Sequence, residues 1–347
     1  MFVFALSALA APAPPPIVNG DTTRDLPEVV TLWAANSRGE GYNFCSGTLI
    51  ASKWVLTAAH CVVAMDDEMP SYGLDYLYII VGYDLNSSAG VQEYAEAKAW
   101  HAHADYDDRS LDNDIGIVEL KTAITSIDFM PVNKDQIRNS EIGDDYRYVG
   151  WGITSDTAQD TSKKRYADIP LYQISSQIME GYDPSDGQNV CSGDSGGAVL
   201  QFQSSGTTFE LAGVNSYVYA PNGDNTPCAG GATGAVRVDA YLSWIQGYTP
   251  VYSEAELGEA DADTDADADT DSDTDTDTDT DTDADSDTDI TNTDTTITDG
   301  EVVSDPVRPS DVGEDYGTDG MCATTPGFAG WGLAAIAAAL GTRRRRA

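Results

Sequence analysis

The chain is poor in basic residues. Its 347 residues hold 18 Lys and Arg against 58 Asp and Glu, a formal net charge of −40. A surface of that sign repels nucleic acid, and no basic groove is legible. Cysteine is scarce, at five, so the fold cannot rest chiefly on cross-links and needs an apolar core. Histidine is scarcer still, at three: His60, His101 and His103. The H-x-H pair formed by the last two has no further free His or Cys to complete a metal site, so neither a metal nor a cofactor is expected. Long apolar runs are lacking too. The strict run Phe328 to Leu340 is short for a membrane span, although Ala323–Gly341 approaches the usual ~20 residues.

The charge is unevenly spread, and that divides the chain. Residues 254–320 carry 26 Asp and Glu with Arg308 as their one basic residue, and from Asp261 to Asp289 every odd position is Asp. Such alternation offers no apolar face to bury, so 251–320 reads as an extended, disordered linker. No glycine turn or terminal Glu organises its carboxylates for tight calcium binding. At the other end, residues 1–10 (MFVFALSALA) read as a secretory signal cut after Ala10, although the segment lacks the usual basic start. APAPPP, 11–16, is then a short pro-segment.

Between these tails, 17–250 has globular composition. Runs such as EVVTLWAA, YLYIIVGY, IGIVEL and FELAGVNSYVY are rich in β-branched and aromatic residues and are interrupted by Gly, Asn, Asp or Pro. They predict an all-β domain of about a dozen strands. DAYLSWIQGY has apolar residues at helical spacing (Tyr241, Trp244, Ile245, Tyr248) and predicts a short closing helix. Four cysteines, Cys45, Cys61, Cys191 and Cys228, lie in this domain. An even number fits two bridges in an oxidising compartment.

The stretch NVCSGDSGGAV, 189–199, sets Ser195 among glycines. A serine is a poor nucleophile unless a base adjoins it and backbone donors face the developing oxyanion. Gly193 lets the chain turn so that its own N–H and that of Ser195 can point at one spot. Of the three histidines, His60 in WVLTAAHC has the context of a base. Asp114, opening the apolar strand of LDNDIGIVEL, is where a carboxylate can be buried yet reach a neighbour; Asp112 reads as a loop cap.

Taken in order, IVNG, CSGTLIASKWVLTAAHC, DNDIGIVEL, VGWG, CSGDSGG and YLSWI resemble the trypsin/chymotrypsin family of serine endopeptidases over residues 17–250. The resemblance implies two six-stranded antiparallel β-barrels with the site between them. It implies His60 as base, Asp114 as its orienting partner and Ser195 as nucleophile. Gly193 and Ser195 would supply the oxyanion amides, and Ser216 would bond the buried aspartate. It pairs Cys45 with Cys61 and Cys191 with Cys228, and it makes Ile17 a new N-terminus whose ammonium pairs with Asp194. Asn19, where Gly is commoner, suits a turn. No Arg or Lys precedes Ile17, so stepwise removal of X-Pro dipeptides from APAPPP is expected instead of a tryptic cut.

The same resemblance locates a substrate pocket. Asn189 stands at its floor, where trypsins carry Asp, so strong selection for basic side chains is not expected. Ser216, Tyr217 and Val218 form one wall and Thr233 the other. Val218 and Thr233 replace glycines of an open pocket, which suits small aliphatic residues before the scissile bond. A one-residue slip that put Gly234 in place of Thr233 would reopen it. Protein or peptide substrates are expected, with the chain a monomer. A catalytically silent binding module on the same fold is the alternative.

The tail 321–347 combines Cys322, an apolar run and four arginines. It resembles the C-terminal sorting signals of myxobacterial surface proteins, the MYXO-CTERM type, with Cys322 as the attachment residue. That implies export and surface-sorting machinery as partners and a place at the outer surface of a Gram-negative cell.

Overall fold

The structure is a computed structural model and describes residues 17–158, 160–203, 208–221 and 228–257. Residues 1–16, expected as signal and pro-segment, the acidic stretch from residue 258 on and the tail with Cys322 lie outside the described residues.

The strands are short, as their frequent turn residues dictate: Asp21–Thr22 (β1), Val29–Ala35 (β2), Gly41–Ala51 (β3), Trp54–Thr57 (β4), Tyr76–Gly82 (β5), Val91–Ala102 (β6), Gly116–Leu120 (β7), Asp145–Gly150 (β8), Arg165–Ile174 (β9), Ile178–Tyr182 (β10), Ala198–Phe202 (β11), Phe209–Tyr219 (β12) and Ala232–Arg237 (β13). Two helices join them, Ala59–Asp67 (α1) and Leu242–Gln246 (α2). The first six long strands close into an antiparallel barrel in the order β2-β3-β4-β7-β6-β5. The second set runs β9-β10-β13-β12-β11-β8 and is closed by the β8–β9 ladder, with β1 added on β9. Closure removes the sheet edges that would otherwise stay unpaired. The fold is thus the two-barrel, all-β architecture expected, with the closing helix in place.

Alternation along the second barrel's strands feeds two cores at once. Val199, Ala212 and Ala235 point into the barrel with Tyr146, Tyr148 and Ile169. Their neighbours Ala198, Leu200, Leu211, Val214 and Val236 face outward and join Leu32, Leu49, Val55, Ile79 and Ile117 of the first barrel in one apolar cluster. With period-2 side chains, a strand buried on both faces is how two barrels can share an interface. Each buried Val, Leu or Ile among them contributes ~1.5–3 kcal/mol. The seam between the barrels is therefore rigid, and the chemistry described below lies along it.

Residues 251–257 belong to the acidic stretch by composition but pack on this body. Val251 is buried, the Val132 amide donates to the Tyr252 carbonyl at 2.8 Å, and the Glu254 amide donates to Glu210 at 2.7 Å. Among the described residues no helix is long and apolar enough to cross a membrane.

Candidate active site

His60 stands in the first turn of α1, just after β4. That helix has no side-chain cap of its own, its N-cap being Ala58, so its first N–H groups need an outside acceptor. Asp114 supplies it from the entrance to β7, the strand paired with β4. The His60 amide donates to Asp114 Oδ1 at 2.9 Å, and His60 Nδ1 lies 2.8 Å from Oδ2. One carboxylate thereby fixes both the helix end and the ring, and its side chain is 0 % exposed against 24 % for His60. Burial disfavours the charged imidazole, but the charge and hydrogen bond of Asp114 outweigh it and hold the ring above its ordinary value.

Ser216 completes the carboxylate's shell. The β12–β13 register slips between Asn215 and Tyr217, leaving Ser216 in a bulge outside the ladder. Its Oγ turns to Asp114 and donates to Oδ2 at 2.5 Å.

Ser195 follows a tight turn in which Gly193 has φ 93° and Gly196 φ 79°, values that favour glycine. The turn is tied to the first barrel by Ser46 of β3. The Ser46 amide donates to the Ser195 carbonyl at 2.8 Å, and its Oγ donates to the Gly193 carbonyl at 2.8 Å while accepting the Trp151 amide at 3.0 Å. The carbonyls on both sides of Asp194 are thus drawn one way. The amides of Asp194, Gly196 and Gly197 are engaged by Cys191, Asn215 and Asp194. Those of Gly193 and Ser195 make no hydrogen bond among the described residues, which is the arrangement an oxyanion site needs. The Cys61 sulfur, next to His60, lies 3.7 Å from the Ser195 carbonyl oxygen, so the two catalytic candidates adjoin. Among the described contacts no hydrogen bond joins His60 to Ser195; catalytic contacts of this kind commonly tighten only on binding. Nothing in the string CSGTLI singles out Ser46; its role exists only once β3 lies beside the 193–195 turn.

Cys45 is bonded to Cys61 and Cys191 to Cys228. Ligand atoms of Cys45, Cys61 and His60 cluster within 4.8 Å, but both sulfurs are spent in the disulfide and offer no thiolate. The other two histidines are packing residues. His101 stacks on Tyr248 with centroids 5.3 Å apart, and His103 meets Tyr241 and Trp244 at 5.4 Å each, which docks α2 on the first barrel. Asp112 closes its loop through Ser110, whose Oγ donates to Oδ2 at 2.9 Å.

Ile17 is fully buried in the second barrel's core with Tyr146, Tyr148 and Val190. Asn19 adopts φ 59° and its Nδ2 donates to the carbonyls of Asp186 and Gly187. Asp194 is buried as well. It accepts the Gly152 amide at 2.7 Å and the Cys191 amide at 2.9 Å, and burial pushes its carboxyl up to about 7. Arg165 Nη1 donates to the Gly152 carbonyl at 2.9 Å, so a guanidinium and Asp194 flank one residue. In this uncut chain the Ile17 nitrogen is a peptide nitrogen. An ion pair with Asp194 needs the cut before Ile17.

Around the expected pocket, Asn189 and Thr233 have no exposed surface at all. The Asn189 amide donates to the Val18 carbonyl at 3.2 Å. Thr233 lies opposite Val218, and Gly234 opposite Tyr217. Thr233 Oγ1 donates to the Tyr217 carbonyl at 3.2 Å. Val218 packs against the cluster of Val18, Cys191 and Cys228.

Residues 17–245 match the protein-family model described as Trypsin. A chymotrypsin of Phaedon cochleariae is 28% identical over 247 residues, covering 66% of this chain and 81% of that protein. A brachyurin of Leptuca pugilator is 27% identical over 220 residues, covering 60% and 88%. A vitellin-degrading protease of Bombyx mori is 30% identical over 192 residues, covering 51% and 67%.

Proposed function

The chain belongs to the trypsin family of serine endopeptidases, and on that premise we propose that Ser195, His60 and Asp114 are its catalytic triad, with the amides of Gly193 and Ser195 as the oxyanion site. The observation that carries the assignment is the double bond-pair from one buried carboxylate to the amide and ring of His60, beside the Ser195 turn. Asp114 keeps the Nδ1 proton of His60 in place, leaving Nε2 free to accept. As Ser195 Oγ attacks the scissile carbonyl, its proton passes to Nε2. The carbonyl oxygen becomes an alkoxide held by the two amides. The imidazolium, stabilised by Asp114, then protonates the leaving amine as the C–N bond breaks. Water repeats the cycle on the acyl-enzyme, giving up its proton to His60 and releasing the acid and Ser195.

We further propose a preference for Ala, Val or similar small residues before the scissile bond. The pairing of Val218 with Thr233 across β12 and β13 supports it: both carry side chains at the expected walls, where glycines would leave the space open. Chromogenic peptides differing only at that residue test both readings. Ala and Val peptides should turn over faster than Phe, Lys or Arg ones, and Ser195→Ala should abolish all turnover. A preference for Lys or Arg would sink the pocket reading; turnover by Ser195→Ala would sink the triad.

The remaining proposals rest on sequence alone. The enzyme is a secreted monomer, exported by a signal over 1–10, matured to start at Ile17, and held at an outer cell surface through 321–347 with Cys322. N-terminal sequencing and fractionation of the active protein check them. A start other than Ile17, or activity confined to the cytoplasm, would count against them.

A further inference from the structure

The outer face of the second barrel carries a row of side chains that the triad does not use. Ladder registers set Gln173, Glu180, Gly234 and Tyr217 side by side across β9, β10, β13 and β12, and residues so aligned share one face of a sheet. Gly234 contributes no side chain, and the Tyr217 ring fills its place: a Cβ there would collide with the ring at Cζ. The ring so reaches across β13, and Tyr217 Oη donates to Glu180 Oε1 at 3.3 Å. Two more donors meet at Oε2, Tyr219 Oη at 2.5 Å and Gln173 Nε2 at 2.6 Å. The Tyr217 and Tyr219 rings lie 6.2 Å apart, centroid to centroid. Glu180 is half-buried, and among the described residues no Lys or Arg is ion-paired with it.

This shelf borders the triad on two sides. Tyr217 directly follows Ser216, which bonds Asp114. The hairpin carrying Glu180 touches the loop before Asp114, where Gln177 Nε2 donates to Asn113 Oδ1 at 3.1 Å. That loop exposes Asp105, Asp107, Asp108 and Asp112 with Arg109 the one cation among them, so the local field is negative. A carboxylate held by neutral donors at the end of two aromatic rings is a receptor for a cation. The rings attract it by their faces and the carboxylate by its charge. Among the described residues β11 pairs with β12 only as far as Val214, so the β12 edge at 216–219 is open to an added substrate strand, and such a strand, rising about 3.3 Å per residue, would carry residues upstream of the cut past Tyr217 and Tyr219.

We propose that Glu180, with Tyr217 and Tyr219, selects a Lys or Arg side chain at the third or fourth residue on the amino side of the scissile bond. This rests on Ser195 being the nucleophile. The enzyme then combines a neutral, narrow pocket for the residue before the cut with a charged subsite upstream.

The test is the affinity of the full-length Ser195→Ala chain for labelled peptides that differ only in carrying Lys or norleucine at the second, third or fourth residue before the cut. Lys at the third or fourth should bind about five- to tenfold tighter than norleucine. In Glu180→Gln, which keeps an acceptor for the tyrosine hydroxyls but loses the charge, that ratio should fall to about one. Equal affinities in the starting chain, or a Lys preference that survives Glu180→Gln, would overturn the proposal. Turnover of the norleucine peptide by the Ser195 chain separately decides the protease reading.

Discussion

Ser216 Oγ and Asp114 Oδ2 stand 2.5 Å apart although 102 residues separate them in the chain. The contact exists because a bulge in β12 turns one residue out of its ladder, toward a carboxylate on the other barrel. Asp114 thus accepts from His60 twice and from Ser216 once, and three donors on one buried carboxylate fix its orientation. Asp114→Asn should keep the fold but lower kcat ~10⁴-fold by favouring the wrong imidazole tautomer. Ser216→Ala should cost about tenfold, the worth of one hydrogen bond to a charged group. Steady-state kinetics on an Ala peptide checks both.

Ser46 is a positioning residue for the nucleophile turn. Ser46→Ala leaves the Gly193 carbonyl without its donor and the Trp151 amide without its acceptor. We expect a loss of about 1–3 kcal/mol in stability and a fall in kcat larger than any change in KM, because the oxyanion amides are released from their orientation. Denaturant unfolding and kinetics on the same variant separate the two effects.

The pH profile should follow His60. A base must be unprotonated, so kcat/KM should climb as pH rises through an inflection above the ordinary imidazole value of 6.5. In Asp114→Asn the inflection should move to lower pH, since the carboxylate's charge is what raises it. An unmoved inflection would assign the titration to another group.

Asp194 gives a second pH signature, in stability. Its carboxyl is raised from 3.8 to about 7 in the uncut chain, so between those values the folded state holds a proton that the unfolded state has lost. Stability from this group is therefore present at low pH and lost as pH rises toward about 7. Release of the Ile17 ammonium should cancel the loss. Thermal midpoints of cut and uncut Ser195→Ala protein should diverge as pH climbs from about 4 to about 8. Buried Lys164, lowered to about 7 by burial, acts alike in both forms and drops out of the difference.

The pocket reading predicts a gain of function. Val218→Gly with Thr233→Gly removes two side chains from opposed positions and should raise kcat/KM for a Phe peptide relative to an Ala peptide by ~10–200-fold. No change in that ratio would place the pocket elsewhere.

What the sequence made legible was local. His60, Asp114 and Ser195 each sit in a string whose residue types match their chemistry, and the strands read directly from alternation and turn residues. What it hid depends on register. The helix α1 has no cap signal because its capping carboxylate lies 54 residues on. Ser46 gains meaning only beside the 193–195 turn, and the Glu180 row only when four strands align. Arg165 lies near Asp194 through the backbone of Gly152, a contact no spacing announces. Residues 251–257 look like linker because composition averages over the acidic stretch, yet Val251 finds a buried site.

Fluorophosphonate labelling of the matured protein, mapped by mass spectrometry, tests the proton path most directly. One adduct on Ser195 is predicted, lost in His60→Ala and strongly slowed in Asp114→Asn. An adduct that forms equally fast without the imidazole, or peptide cleavage by protein whose Ser195 stays unmodified, would contradict it.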